Sequence, residues 1–141
     1  MKIEQVGAIT SSVRKFAEKP GDVKDVLSKI RDIGYRAVQI SGIPWIPEEE
    51  LKAHCDEIGL TICSTHEPGQ KLFEETDEVI ARLKKLDCDL TAYPYPHVGI
   101  TNKGMDGLVK KLDEVGAALA AEGIRFLYHN HHVEFQRFAG K

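Results

Sequence analysis

Lys29-Ile30-Arg31-Asp32-Ile33-Gly34-Tyr35-Arg36-Ala37-Val38-Gln39-Ile40-Ser41 is the stretch whose reading decides the fold. It opens as the end of an amphipathic helix, breaks at a glycine, and resumes as a short apolar run that ends in polar residues. Gly34 suits the left-handed conformation that closes a helix, because it has no Cβ to clash. Residues 53–66, 83–95 and 120–131 repeat the plan, with Gly59 and Gly123 standing where Gly34 does. The unit at 83–95 carries Asp87 instead, which tolerates that conformation less well, so a weaker cap is expected there.

Working outward from these units, the helices between them are legible. Val23, Val26, Leu27, Ile30 and Ile33 fall on one helical face, as do Val79, Ile80, Leu83 and Leu86. Met105, Leu108, Val109, Leu112, Val115 and Leu119 make the longest stripe. All of these read as core packing. Asp22 can cap the first helix, and Pro47 suits the opening turn of the second. Strand formers occupy 37–40, 60–64, 90–93 and 124–128, and a first strand is expected over 5–9. Strands alternating with helices imply right-handed crossovers and a parallel sheet. The expectation is one domain over 1–141, an α/β parallel barrel truncated after about five strands. Alternate side chains of 37–40 and 60–64 would then meet water as an apolar patch, and the two outer strands would be open edges. A homodimer or a complementing half-barrel is the expected consequence.

Composition narrows the function classes. With 42% hydrophobic and 29% charged residues the chain reads as an ordinary globular protein. Its net charge is -3 with the signs mixed, so no nucleic-acid partner is expected. The apolar runs are short of a membrane span and the N-terminus lacks a signal-like segment, so no membrane partner is expected either. Cys55, Cys63 and Cys88 form no CxxC and read as reduced thiols in a cytoplasmic protein.

Polar residues gather where strands end. Thr10 and Ser11 follow the first strand, Gln39 and Ser41 the second, His66 and Glu67 the third, and Tyr93, Tyr95 and His97 the fourth. The fifth ends His129-Asn130-His131-His132-Val133-Glu134. In a parallel barrel these ends open on one face, where active sites form. Five of the six histidines lie there, and the sixth, His54, lies within a helix. His129 and His131 are two apart and point the same way in an extended strand, with the Glu134 carboxylate close by. Imidazole and carboxylate suit zinc, manganese or cobalt. Hydrogen-bonding histidines at a strand end are the alternative reading. Tyr93 and Tyr95 suit packing as well as a ligand-facing role. Pro44-Trp45 either covers a ligand or closes the barrel edge.

The chain resembles the xylose-isomerase-like barrels known as sugar phosphate isomerases/epimerases. Ser12-Val13-Arg14, Ile33 to Gln39, Ser64-Thr65-His66, Tyr93-Pro94-Tyr95 and, most specifically, Tyr128 to Phe135 carry the likeness. The resemblance implies a TIM barrel, a divalent metal (manganese, zinc, cobalt or magnesium), and proton transfer next to the carbonyl of a sugar or keto-sugar. It casts Glu134 as catalytic group and metal ligand and His131 as a second ligand. His66, His129, Tyr93 and Trp45 become substrate-binding candidates. A full barrel of this type needs eight strands and about 250 residues. The further ligands implied, an Asp, a His and a second acid on strands six to eight, have no positions in this chain. A half-barrel that only binds a sugar or a partner is therefore the competing expectation. The DNA-repair endonuclease branch of the superfamily would call for clustered Lys and Arg, which the sequence lacks.

Overall fold

The computed structural model describes residues 6–96 and 102–135. Its core is one sheet of five parallel strands in the order β1-β2-β3-β4-β5, so every strand pairs with its sequence neighbour. The strands are β1 (Gly7–Ile9), β2 (Ala37–Ile40), β3 (Thr61–His66), β4 (Leu90–Tyr93) and β5 (Arg125–Tyr128). The helices are α1 (Val23–Ile33), α2 (Glu48–Ile58), α3 (Gly69–Glu74), α4 (Thr76–Lys85) and α5 (Asn102–Ala121). Among the described residues no helix is long and apolar enough to cross a membrane.

The expected helical stripes supply most of the core. Val23, Val26, Leu27 and Ile30 of α1 are buried, as are Val79 and Leu83 of α4 with Leu86 just beyond it, and Leu108, Val115 and Leu119 of α5. Each fully buried leucine contributes roughly 2 kcal/mol. They pack with Val38, Ile40 and Ile62 from the sheet. Gly34, Gly59 and Gly123 all adopt positive φ, and Asp87 takes the same conformation at φ 52°. The chain thus makes the same turn four times, once at the cost of strain in a residue with a Cβ.

Several expectations need correction. Ile33 is 70% exposed and takes no part in the core, because α1 ends there and Gly34 turns the chain away. Asp22 does not cap α1 with its side chain. Its carboxylate accepts from the Glu18 and Lys19 amides at 3.2 and 3.1 Å, and so fastens the turn before the helix. The third strand runs two residues further than expected, ending at His66. A short additional helix, α3, follows it. Gln5 of the expected first strand lies outside the described residues, as does His97.

One irregularity matters for the site. Val38 pairs with Ile62, but Gln39 pairs with Ser64, so β3 carries Cys63 as an extra residue against β2. Such a bulge reverses which face the following side chains take. Beyond it Thr65 pairs with Ile40 and Thr91, and His66 with Ala92. Ala92 in turn pairs with Leu127 of β5. His66, Ala92 and Leu127 therefore share the face opposite to the one that carries Thr65, Thr91 and Phe126.

Candidate functional site

The C-terminal ends of β3 and β5 bring three imidazoles together. The His66 and His129 rings meet edge to face with centroids 4.8 Å apart. His129 lies 4.8 Å from His131. Tyr95, just past β4, packs edge-on against His131 at 4.9 Å. His129 is held at the sheet by its amide, which donates to the Tyr93 carbonyl at 3.0 Å. Burial, and then the neighbouring His129 and His131, depress the pKa of His66. At neutral pH it is a neutral ring, able to accept a proton or a hydrogen bond.

Glu134 sits in a 3-10 turn, Val133–Phe135, and both its oxygens are engaged. The Tyr128 hydroxyl donates to Oε1 at 2.7 Å, and the His131 amide donates to Oε2 at 2.8 Å. Desolvation raises the pKa of this carboxyl, but the hydrogen bonds from Tyr128 and the backbone outweigh it and hold the group below the ordinary range. The same contact acts in reverse on Tyr128, whose pKa is pushed up by desolvation and by the adjacent carboxylate. Glu134 is thus a fixed anion beside His131.

The remaining candidates fall elsewhere. Tyr93 has no exposed surface and stacks on Phe73 at 5.4 Å, so its ring packs in the core beneath the strand ends. Trp45 is 63% exposed and borders a separate cavity of about 570 Å³ between the β2–α2 loop and α4. His66 lines that cavity too and so joins the two regions. His132 is exposed and absent from the ring cluster. Two contributors escaped the reading of the sequence. Tyr128 reads as a strand residue that opens the Tyr128 to Phe135 stretch, and its partnership with Glu134 depends on a turn that no periodicity announces. Nothing in the sequence singles out Arg82, yet it bonds Glu67 and Glu48 at the cavity.

The fit to a metal is one of kind rather than number. Imidazole nitrogen and carboxylate are suitable donors, and His131 Nδ1 is buried with no hydrogen-bond partner. Among the described residues, however, no three or more His, Cys, Asp or Glu side chains are arranged to hold a metal ion.

No family model matches the chain, and no curated protein does. Solved structures do. A sugar phosphate isomerase/epimerase from Parabacteroides distasonis is 21% identical with a TM-score of 0.75, over 100% of this chain and 57% of that one. A second structure so described from that organism is 23% identical with a TM-score of 0.77, over 94% and 56%. An AP endonuclease, family 2, from Brucella melitensis is 16% identical with a TM-score of 0.67, over 86% and 53%. This chain therefore spans little more than half the length of the structures it matches, and over that span its fold is that of the xylose-isomerase-like TIM barrels.

Proposed function

We propose that these strand ends form part of a site for a sugar or keto-sugar, where a proton moves next to a carbonyl with the help of a divalent metal. The observation that carries this reading is the cluster of His66, His129 and His131 rings beside an anchored Glu134. Glu134 and His131 are the groups that would hold a manganese, zinc, cobalt or magnesium ion. When bound, such an ion supplies Lewis-acid polarisation of a carbonyl oxygen. The chain's own part is different. Glu134, kept ionised, acts as proton acceptor or ligand through the lone pairs that Tyr128 and His131 leave over. His66, held neutral, and His129 bind substrate hydroxyls. Partial shielding at the β3 end keeps His66 neutral, so it can accept as well as donate.

The reading extends to a soluble cytoplasmic protein with no nucleic-acid or membrane partner. The net charge of -3 speaks against a phosphate-backbone ligand of the endonuclease kind. A second reading, a half-barrel that binds a sugar or a partner without catalysis, is favoured by the incomplete donor set among the described residues.

The test is exchange of the proton next to the carbonyl. The chain is incubated in D₂O with manganese and a panel of aldoses and ketoses, and deuterium uptake at that carbon is followed by NMR. Uptake that disappears in Glu134→Gln is the expected result. Binding without uptake would select the second reading, and neither binding nor uptake would end the sugar assignment.

A further inference from the structure

The 570 Å³ cavity beside the histidine cluster lies in the size range of small-molecule sites. Its wall is built with more care than loop packing needs. The Trp45 Nε1–H donates to Glu48 Oε1 at 2.9 Å, which fixes the indole by its edge and leaves its face open. The same oxygen accepts from Arg82 Nε at 3.1 Å. Arg82 Nη1 donates in turn to Glu67, whose side chain is almost wholly buried. Aromatic face, carboxylate, guanidinium and carboxylate thus form one connected wall.

The loop that carries Trp45 is clamped at its root. The Ser41 amide donates to Thr10 Oγ1 at 2.7 Å, and that hydroxyl donates to the Ser41 carbonyl at 2.6 Å. Gly42 follows at φ 60°, where a Cβ would also come within 3.1 Å of the Ser11 Cβ. Ser41 lines the cavity, is 6% exposed, and its own Oγ has no hydrogen-bond partner. A buried hydroxyl without a partner is unfavourable unless something supplies one.

Charge identifies the kind of occupant. Arg82, Lys71 and Lys85 line the cavity, and so do Glu48, Glu67 and Glu78, so the signs balance. Arg82 is shared by two carboxylates, Lys71 pairs with Glu75 at 3.6 Å, and Lys85 pairs with Glu49 at 2.9 Å. A phosphate would need a surplus of positive charge, and this wall has none. A neutral polyhydroxyl ring suits the wall better. Its C–H face can lie on the indole, and its vicinal hydroxyls can both accept from a guanidinium and donate to carboxylates.

We infer that this cavity is a subsite for a second, uncharged sugar unit, so that the substrate of the neighbouring site is a glycoside or oligosaccharide that passes His66. The inference rests on the sugar reading proposed above. Trp45 is the chain's only tryptophan, so its emission reports on this cavity alone. Maltose, cellobiose and xylobiose are titrated against the protein by fluorescence and by calorimetry, with glucose and glucose 6-phosphate alongside. At least one disaccharide should shift the Trp45 emission saturably. Glu48→Gln and Ser41→Ala should each weaken that response by about fivefold or more, while both variants keep the wild-type circular dichroism. His129→Ala should lower the heat of binding with less effect on the emission. Heat of binding without any change at Trp45 would overturn the subsite and leave the sugar reading standing. A stronger emission response to glucose 6-phosphate than to the disaccharides would overturn it as well. Neither heat nor emission change with any of the sugars would bring down both.

Discussion

His66 and Asp87 show how much a single side chain's position depends on its backbone. His66 is half-buried, and its close ring partner is another site histidine rather than the apolar core. Truncation there removes contacts to the site and few to the fold. His66→Ala should lower the melting temperature by no more than a few degrees, as for a change under about 1 kcal/mol, while sugar binding falls. Thermal unfolding together with calorimetry checks this, and a much larger drop in melting temperature would make it a structural histidine. Asp87 is the opposite case, a residue with no part in the site that carries strain at φ 52°. Asp87→Gly should raise stability by up to about 1 kcal/mol, since the left-handed region is unfavourable for a residue with a Cβ. Denaturant midpoints would register that gain, and a loss would mean that the aspartate side chain compensates for its backbone.

At the level of elements, the 3-10 turn Thr10–Phe16 is tied to the end of β2 by one hydroxyl. Thr10 is fully buried and bonds both the amide and the carbonyl of Ser41. Thr10→Val keeps the shape and removes both bonds, leaving two buried backbone groups without partners. The expected cost is about 1–3 kcal/mol. Faster amide exchange along the following loop should accompany it. A loss below about 0.5 kcal/mol, the lower end for a single hydrogen bond, would show that the loop keeps its place without the clamp.

For the molecule as a whole, β1 and β5 are the outer strands of the described sheet and present unpaired backbone groups. The apolar patch expected on alternate positions of β2 and β3 is not there. The less buried positions of those strands are Ala37, Gln39, Thr61, Cys63 and His66, which are small or polar. Exposed apolar surface lies instead on β5, at Leu127 with 52% and Tyr128 with 38% exposure. Association should therefore run through that edge. Sedimentation of the 141-residue chain at micromolar concentration should give a dimer or a larger assembly, and Leu127→Lys should shift it toward monomer. A cooperatively melting monomer throughout that range would show that the edges need no partner.

The sequence by itself determined the alternating order of strands and helices, the short α3 excepted, and most of each helix's buried face. Helix periodicity, turn glycines and short β-branched runs are local signals, and they survive whatever the chain packs against. It also brought His66, His129, His131 and Glu134 to one end of the sheet, because parallel strands all finish on the same side. Tertiary structure alone decided which face His66 takes. Strict alternation from Ile62 would have sent its side chain into the helix layer. The extra residue at Cys63 reverses that parity and turns the ring toward His129. A period of two cannot register such an insertion, since the bulge exists only in the pairing of β3 with β2. The same holds for Tyr128 with Glu134 and for Arg82 between Glu48 and Glu67, where partners far apart in pattern meet only once the chain has folded.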